Sequence, residues 1–235
     1  MSSAASSPDR AIPVIAIDGP SASGKGTVAA LVARALGFHY LDSGALYRLA
    51  TLAALRSSTN LDDEAALARV TSVMEVAFRD GVALLDGKDV TEALRTEEVS
   101  AAASRVAARP AVRAALLDRQ RGFRRAPGLV ADGRDMGSVV FPDAPLKVFL
   151  TAGVEVRAER RHKQLMGKGM YAKMADVVEE LRRRDERDTS RPVAPLKHYP
   201  DAIFLDTTGI SVDEAVEKIL GWWRERASGM QNRPR

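Results

Sequence analysis

The sequence predicts an α/β protein: a parallel five-stranded sheet flanked by helices, with a small antiparallel sheet inserted and a helical lid. Three observations carry this. Short apolar runs recur at residues 14–17, 38–41, 129–132, 146–150 and 203–206, with helical periodicity between them. That alternation is expected of parallel strands joined by crossover helices. The first run leads through a glycine-rich turn directly into an amphipathic helix. Over residues 73–90 the pattern becomes short alternating segments separated by Asp-Gly pairs, which is hairpin chemistry and foreign to a parallel sheet.

The glycine-rich turn is Asp18-Gly19-Pro20-Ser21-Ala22-Ser23-Gly24-Lys25-Gly26-Thr27. Strand, small-residue turn and helix with a lysine at its start form the context of a phosphate-binding P-loop, so the sheet is of the P-loop NTPase kind. Successive backbone N–H groups cradle phosphate oxygens, and the start of the helix adds the positive end of its dipole. Small residues at Gly19, Ala22, Gly24 and Gly26 let the backbone approach the anion closely. The common pattern has serine or threonine directly after the lysine. Here Gly26 takes that place and the hydroxyl comes one step later, at Thr27.

Beyond the loop, Val28, Leu31, Val32, Ala35 and Leu36 form one helical face, and Gly37 is a C-terminal stop. The second strand runs into Asp42-Ser43-Gly44, where Ser43 is read as the N-cap of a helix carrying Leu46, Leu49, Ala50 and Ala53. Arg48 projects from the first turns of that helix, either as a solvated arginine or toward a second phosphate. A short helix is expected at 64–70, then hairpins with turns at Asp80-Gly81 and Asp86-Gly87. An alanine-rich helix follows at 99–109, and Pro110 opens another that carries Val112, Leu116 and Phe123. Ser104 and Arg113 flank that junction and by themselves read as surface polar residues. The third core strand ends in Asp132-Gly133-Arg134-Asp135, acid and base packed at the edge where open α/β sheets bind ligands. A basic helix at 155–164 carries Arg157, Arg160 and Arg161, and Gly167-Lys168-Gly169 breaks it. The helix expected at 176–187 is charged on all sides. Residues 184–192 read equally as a solvated face or as a segment closing over a triphosphate. Ser211 caps a final amphipathic helix, and no pattern is visible after Ala227.

Composition narrows the classes. The chain of 235 residues is 46% hydrophobic, enough for one sizeable core, and carries a net charge of +4. With no cysteine, thiolate metal sites and cysteine nucleophiles are excluded. The first ten residues are small and polar, read as a disordered tail of a cytoplasmic protein. The basic balance admits an RNA-binding or nucleotide-sensing regulator, but the arginines cluster at strand ends and lid rather than along a stripe with interleaved aromatics.

Residues 17–27, 41–48, 131–143 (Ala131-Asp132-Gly133-Arg134-Asp135-Met136-Gly137 onward) and 184–195 closely resemble the bacterial-type cytidylate kinases of the nucleoside-monophosphate kinase family. The resemblance spans about residues 13–226. It implies a P-loop core over 13–60, 111–156 and 196–227, a nucleoside-monophosphate-binding insert at 61–110 and a lid at 157–195, with tails at 1–12 and 228–235. It implies ATP-dependent phosphorylation of CMP and dCMP by a cytoplasmic monomer that needs neither nucleic acid nor membrane. Residues 19–27 would hold ATP, with Lys25 bridging its β and γ phosphates and Thr27 beside Mg2+. Ser43, Arg48 and Arg134 would face the CMP phosphate, and Ser104, Arg113, Asp135 and Arg191 the cytosine. Arg184 and Asp188 would lie near the sugar. Lys25, Arg134, Arg161 and Arg184 would act on the transferring group. Another small acceptor such as UMP is the alternative within enzymes.

Overall fold

The computed structural model describes residues 12–79 and 81–231. Five parallel strands form the central sheet: β1 (Val14–Asp18), β2 (His39–Asp42), β6 (Leu129–Gly133), β7 (Leu146–Thr151) and β8 (Ile203–Asp206), in the spatial order β2-β6-β1-β7-β8. Side chains alternate across it. Ile15, Ile17, Val130 and Val148 pack against α1 (Lys25–Leu36) and α8 (Val212–Gln231) on one face. Val14, Ala16, Leu129 and Ala131 meet the opposite core, built on α2 (Ser43–Arg56) and α5 (Pro110–Arg121). At the centre of the sheet both faces are covered, which is why β1 and β6 read as apolar runs rather than as alternating ones, whereas the edge strands β2 and β8 are partly exposed.

Local signals set the ends of these elements. Gly37 sits at φ 65° and closes α1, with the Phe38 N–H donating to the Ala33 carbonyl. Ser211 and Glu214 cap α8 reciprocally: the Glu214 N–H donates to Ser211 Oγ and the Ser211 N–H to Glu214 Oε2. For α2 the expected cap is corrected. Asp42 is the N-cap, its Oδ1 accepting from the Ala45 N–H at 3.0 Å, and Ser43 is the first helical residue. A carboxylate outcompetes a hydroxyl there because it accepts more strongly and suits the positive helix end. Helix α8 also runs to Gln231, four residues into the stretch read as a tail.

The excursion after α2 comprises α3 (Glu64–Val73), an antiparallel sheet of β3 (Val76–Arg79), β4 (Val82–Leu85) and β5 (Lys88–Asp89), and α4 (Glu97–Val106). Asp86 and Gly87, at φ 49° and 74°, make the second hairpin turn. Asp80, expected in the first, lies outside the described residues, as do the terminal stretches 1–11 and 232–235. Helix α5 ends before Phe123, which packs half-buried against the same core. The pair α6 (Val154–Gly167) and α7 (Met174–Ser190) shares a small cluster of Ala158, Leu165, Val177 and Leu181. Helix α7 is therefore not polar all round. Among the described residues no helix is long and apolar enough to cross a membrane.

Gly19, just past β1, is the tightest point of the sheet: a Cβ there would land on the Leu150 carbonyl oxygen of β7. Gly19→Ala forces the two strands apart and is expected to cost about 3 kcal/mol, read as a lower midpoint in denaturant unfolding.

Candidate functional site

The C-terminal ends of β1, β2 and β6 open into one cavity of about 200 Å³, roofed by α4, α6 and α7. At its floor lies the P-loop. Gly24 takes φ 92° and Ala22 φ 58°, left-handed conformations that turn successive N–H groups inward. Lys25 opens α1 and is buried, its Nζ donating to the Pro20 carbonyl at 3.1 Å. Burial and the neighbouring Arg134 pull its pKa well below the ordinary lysine value. The loop's outward carbonyls are held from the lid: Arg157 donates to Ser21 O at 3.1 Å, and Arg160 to Ser23 O at 2.9 Å. Ser23 Oγ is buried without a partner. Of residues 19–27 only Ser21, Ala22 and Lys25 line the cavity; Thr27 is exposed at its side.

Opposite the loop stands a second group of charges. Asp42 accepts from Arg48 at 2.7 Å, and Ser43 lies against Gly133 at the end of β6. Burial pushes the Asp42 carboxyl up, but Arg48, the Ala45 N–H and Lys25 outweigh it and hold it below the usual range. Past β6 the chain makes a π-helical turn, Met136–Val140, whose first two N–H groups donate to the Asp18 carboxylate at 2.8 Å each. This turn, absent from the sequence reading, aims Arg134 and Asp135 into the cavity. Arg134 is paired with Asp188 of α7 at 2.7 Å, and Asp135 with Arg113 of α5. Arg113 also lies over the Tyr47 ring, 5.6 Å from its centroid, and donates to the Ala107 carbonyl. Ser104 accepts from Arg187 at 3.3 Å, and Arg191 donates through Nε to the Ala194 carbonyl.

All nine residues expected around the acceptor line this one cavity: Ser43, Arg48, Ser104, Arg113, Arg134, Asp135, Arg184, Asp188 and Arg191. Arg161 joins them from α6, paired with Glu97 at the start of α4. Arg157 and Arg160 do not, being committed to loop carbonyls, Asp185 and Thr207. Seven basic side chains face four acidic ones. That surplus leaves Arg184 Nε and Arg191 Nη2 buried without partners. Burial and Arg134 bring the Arg184 guanidinium down to about 10. Such an arrangement is built for anions at two adjacent points. The lining residues to which sequence reasoning gives no site role include Asp42, Tyr47 and Asp132. Asp132, 5% exposed and raised to about 6 by burial and by Asp42, carries the clearest signal, as a carboxylate on a strand end beside a P-loop.

Residues 15–225 match the cytidylate kinase family. A cytidylate kinase of Chromobacterium violaceum is 60% identical over 219 residues, covering 93% of this chain and 99% of its own. That of Paraburkholderia phymatum is 61% identical over 212 residues, covering 90% and 93%. That of Burkholderia pseudomallei is 59% identical over 213 residues, covering 91% and 93%. Identity this high, sustained across nearly the full length of each relative, means that the chain belongs to the cytidylate kinase family.

Proposed function

We propose that this chain transfers the γ-phosphoryl group of ATP to CMP and dCMP, giving CDP and dCDP, by direct in-line displacement. The observation that carries the reading is the single cavity in which Lys25 of the P-loop faces Arg48, Arg134 and Arg184. The acceptor is a phosphate oxygen that is already anionic, so no general base is needed. The work of the site is alignment of two polyanions and neutralisation of charge on the group in transit.

The residues divide that work. The loop N–H groups and Lys25 take the donor phosphates, and Arg161 reaches them from the lid. Ser43, Arg48 and Arg134 take the acceptor phosphate. Ser104, Arg113, Asp135 and Arg191 offer the mixed donors and acceptors that cytosine requires, with Arg184 and Asp188 toward the sugar. The ion pair between Arg113 and Asp135 fixes both side chains before the base arrives. Closure of α6 and α7 excludes the water that would otherwise hydrolyse ATP.

The donor set suits a magnesium ion travelling with ATP. Asp132 Oδ2 and the Thr27 hydroxyl are hard oxygens that make no hydrogen bond among the described residues. Among the described residues no group of three or more His, Cys, Asp or Glu is placed to hold a metal ion by itself. Asp132 and Thr27 would therefore be complemented by phosphate and water, as magnesium prefers. When bound, the ion neutralises charge between the β and γ phosphates. The enzyme would act as a cytoplasmic monomer.

In a coupled assay CMP and dCMP are expected to turn over, with UMP slower by about 100-fold, since its carbonyl leaves a buried polar group of the site unpaired. Faster turnover of UMP or AMP would refute the reading. Lys25→Ala should lower kcat by about 10²- to 10³-fold, the worth of one transition-state donor, with an unchanged circular-dichroism spectrum. Near-normal transfer would remove the loop from the chemistry. Asp188 supplies a pH test. Burial raises its carboxyl, but Arg134 outweighs burial and holds it below its ordinary value of 3.8. A depressed carboxylate stabilises the fold above the unfolded pKa, and that contribution is lost as pH falls through the folded one. Asp188→Asn should thus cost about 3 kcal/mol at pH 7 by leaving Arg134 unpaired. The gap from the parent protein should narrow as pH falls below 3.8 and close once Asp188 is protonated in the folded protein, as measured by urea unfolding at pH 7 and across a series of acidic pH values.

A further inference from the structure

We propose that Tyr40 is a positioning residue for phosphoryl transfer, its hydroxyl fixing Asp132 and standing in for the hydroxyl that P-loops ordinarily carry directly after the lysine. The inference rests on the reading of Asp132 as the carboxylate beside the metal-bearing phosphates. In the common loop that serine or threonine and a strand-end aspartate together attend the ion. Here the position after Lys25 is Gly26, and the nearest loop hydroxyl, Thr27, is exposed beside the cavity rather than lining it.

The space over Gly26 shows what has replaced it. A Cβ built there would have the Tyr40 hydroxyl at 3.5 Å and each carboxylate oxygen of Asp132 at 3.9 Å as its nearest neighbours from outside the helix. A hydroxyl on residue 26 would therefore fall among the same three oxygens. The Tyr40 hydroxyl donates to Asp132 Oδ1 at 2.6 Å.

Strand geometry explains how the ring reaches. In the β2–β6 register Tyr40 lies opposite Val130, and Asp42 opposite Asp132. Tyr40 and Asp42 share a face, by the two-residue period of a strand. The phenol extends one such step along the strand, a span that serine or threonine could not cover. Packing does not explain the ring: Tyr40 is 37% exposed and belongs to none of the apolar cores. With Oδ1 engaged, Asp132 keeps one orientation and presents Oδ2, unpartnered among the described residues, at the cavity.

The test is Mn2+ binding to the enzyme–ADP complex, followed by electron paramagnetic resonance, for Tyr40→Phe, Asp132→Asn and the double variant Tyr40→Phe/Gly26→Ser. Metal-free ADP binding serves as the control for folding. Tyr40→Phe should weaken Mn2+ about tenfold, the usual effect of removing an outer partner of a metal-facing group. It should raise KM for Mg·ATP and leave KM for CMP within about twofold. Gly26→Ser, at a backbone position with no left-handed φ, should recover most of the lost affinity by returning a hydroxyl to the vacant place. If Asp132→Asn loses Mn2+ and Tyr40→Phe does not, the positioning role is refuted. If Tyr40→Phe loses it and Gly26→Ser restores nothing, the substitution of one hydroxyl for the other is refuted. If Asp132→Asn itself leaves Mn2+ affinity unchanged, the underlying reading of Asp132 falls.

Discussion

A buried surplus of positive charge governs this molecule. Seven basic side chains crowd one cavity against four carboxylates, and removing a charge from water is costly unless it is paired. Three arginines solve this locally, each with its own aspartate: Arg48 with Asp42, Arg113 with Asp135, and Arg134 with Asp188. Arg161 has Glu97; the remaining three have no such answer among the described residues. Lys25, Arg184 and Arg191 are all pulled down by burial, and each also feels a neighbouring arginine. A protein under selection for stability alone would not keep them there. A bound anion relieves this cost, so the cavity's charge amounts to a standing preference for phosphate.

The P-loop adds a geometric constraint to the electrostatic one. Turning a run of N–H groups toward a ligand turns the matching carbonyls away from it, and those carbonyls need partners of their own. Lys25 serves Pro20, Arg157 serves Ser21, and Arg160 and Thr207 serve Ser23. Two arginines of the basic helix α6 are in this way part of the frame that shapes the loop.

What was legible in the sequence follows from range. Strands buried on both faces, the loop, the Gly37 and Ser211 caps and the Asp86-Gly87 turn are written in contiguous residues, and each is found where expected. The nine acceptor residues reached one list through resemblance, because nothing local joins Arg113 to Asp135, 22 residues on, or Arg134 to Asp188, 54 residues on. The π-helical turn escaped for the same reason. Its determinant is Asp18, more than a hundred residues earlier, accepting from Met136 and Gly137. Ser43 was misread as a cap because serine and aspartate are both good caps, and one residue of register decides between them. Asp132 has no role in the sequence reading because its partners lie on other elements, Tyr40 within β2 and Lys25 at the start of α1.

The ion pairs at the base of the lid have a mechanical consequence. Helix α6 is pinned where it starts, through Arg157 and Arg160 to the loop, and α7 where it ends, through Asp185 to Arg157 and Asp188 to Arg134. The free end is the bend after Gly167, about 20 Å away at 1.5 Å per residue, where Lys168 touches the Arg95 carbonyl of the insert. The pair is thus held at the end that rests on the P-loop and meets the insert at the other. Under the proposed function, a small rotation at the loop end, of the kind one bound phosphate would set, would become a displacement of several ångströms at the far end.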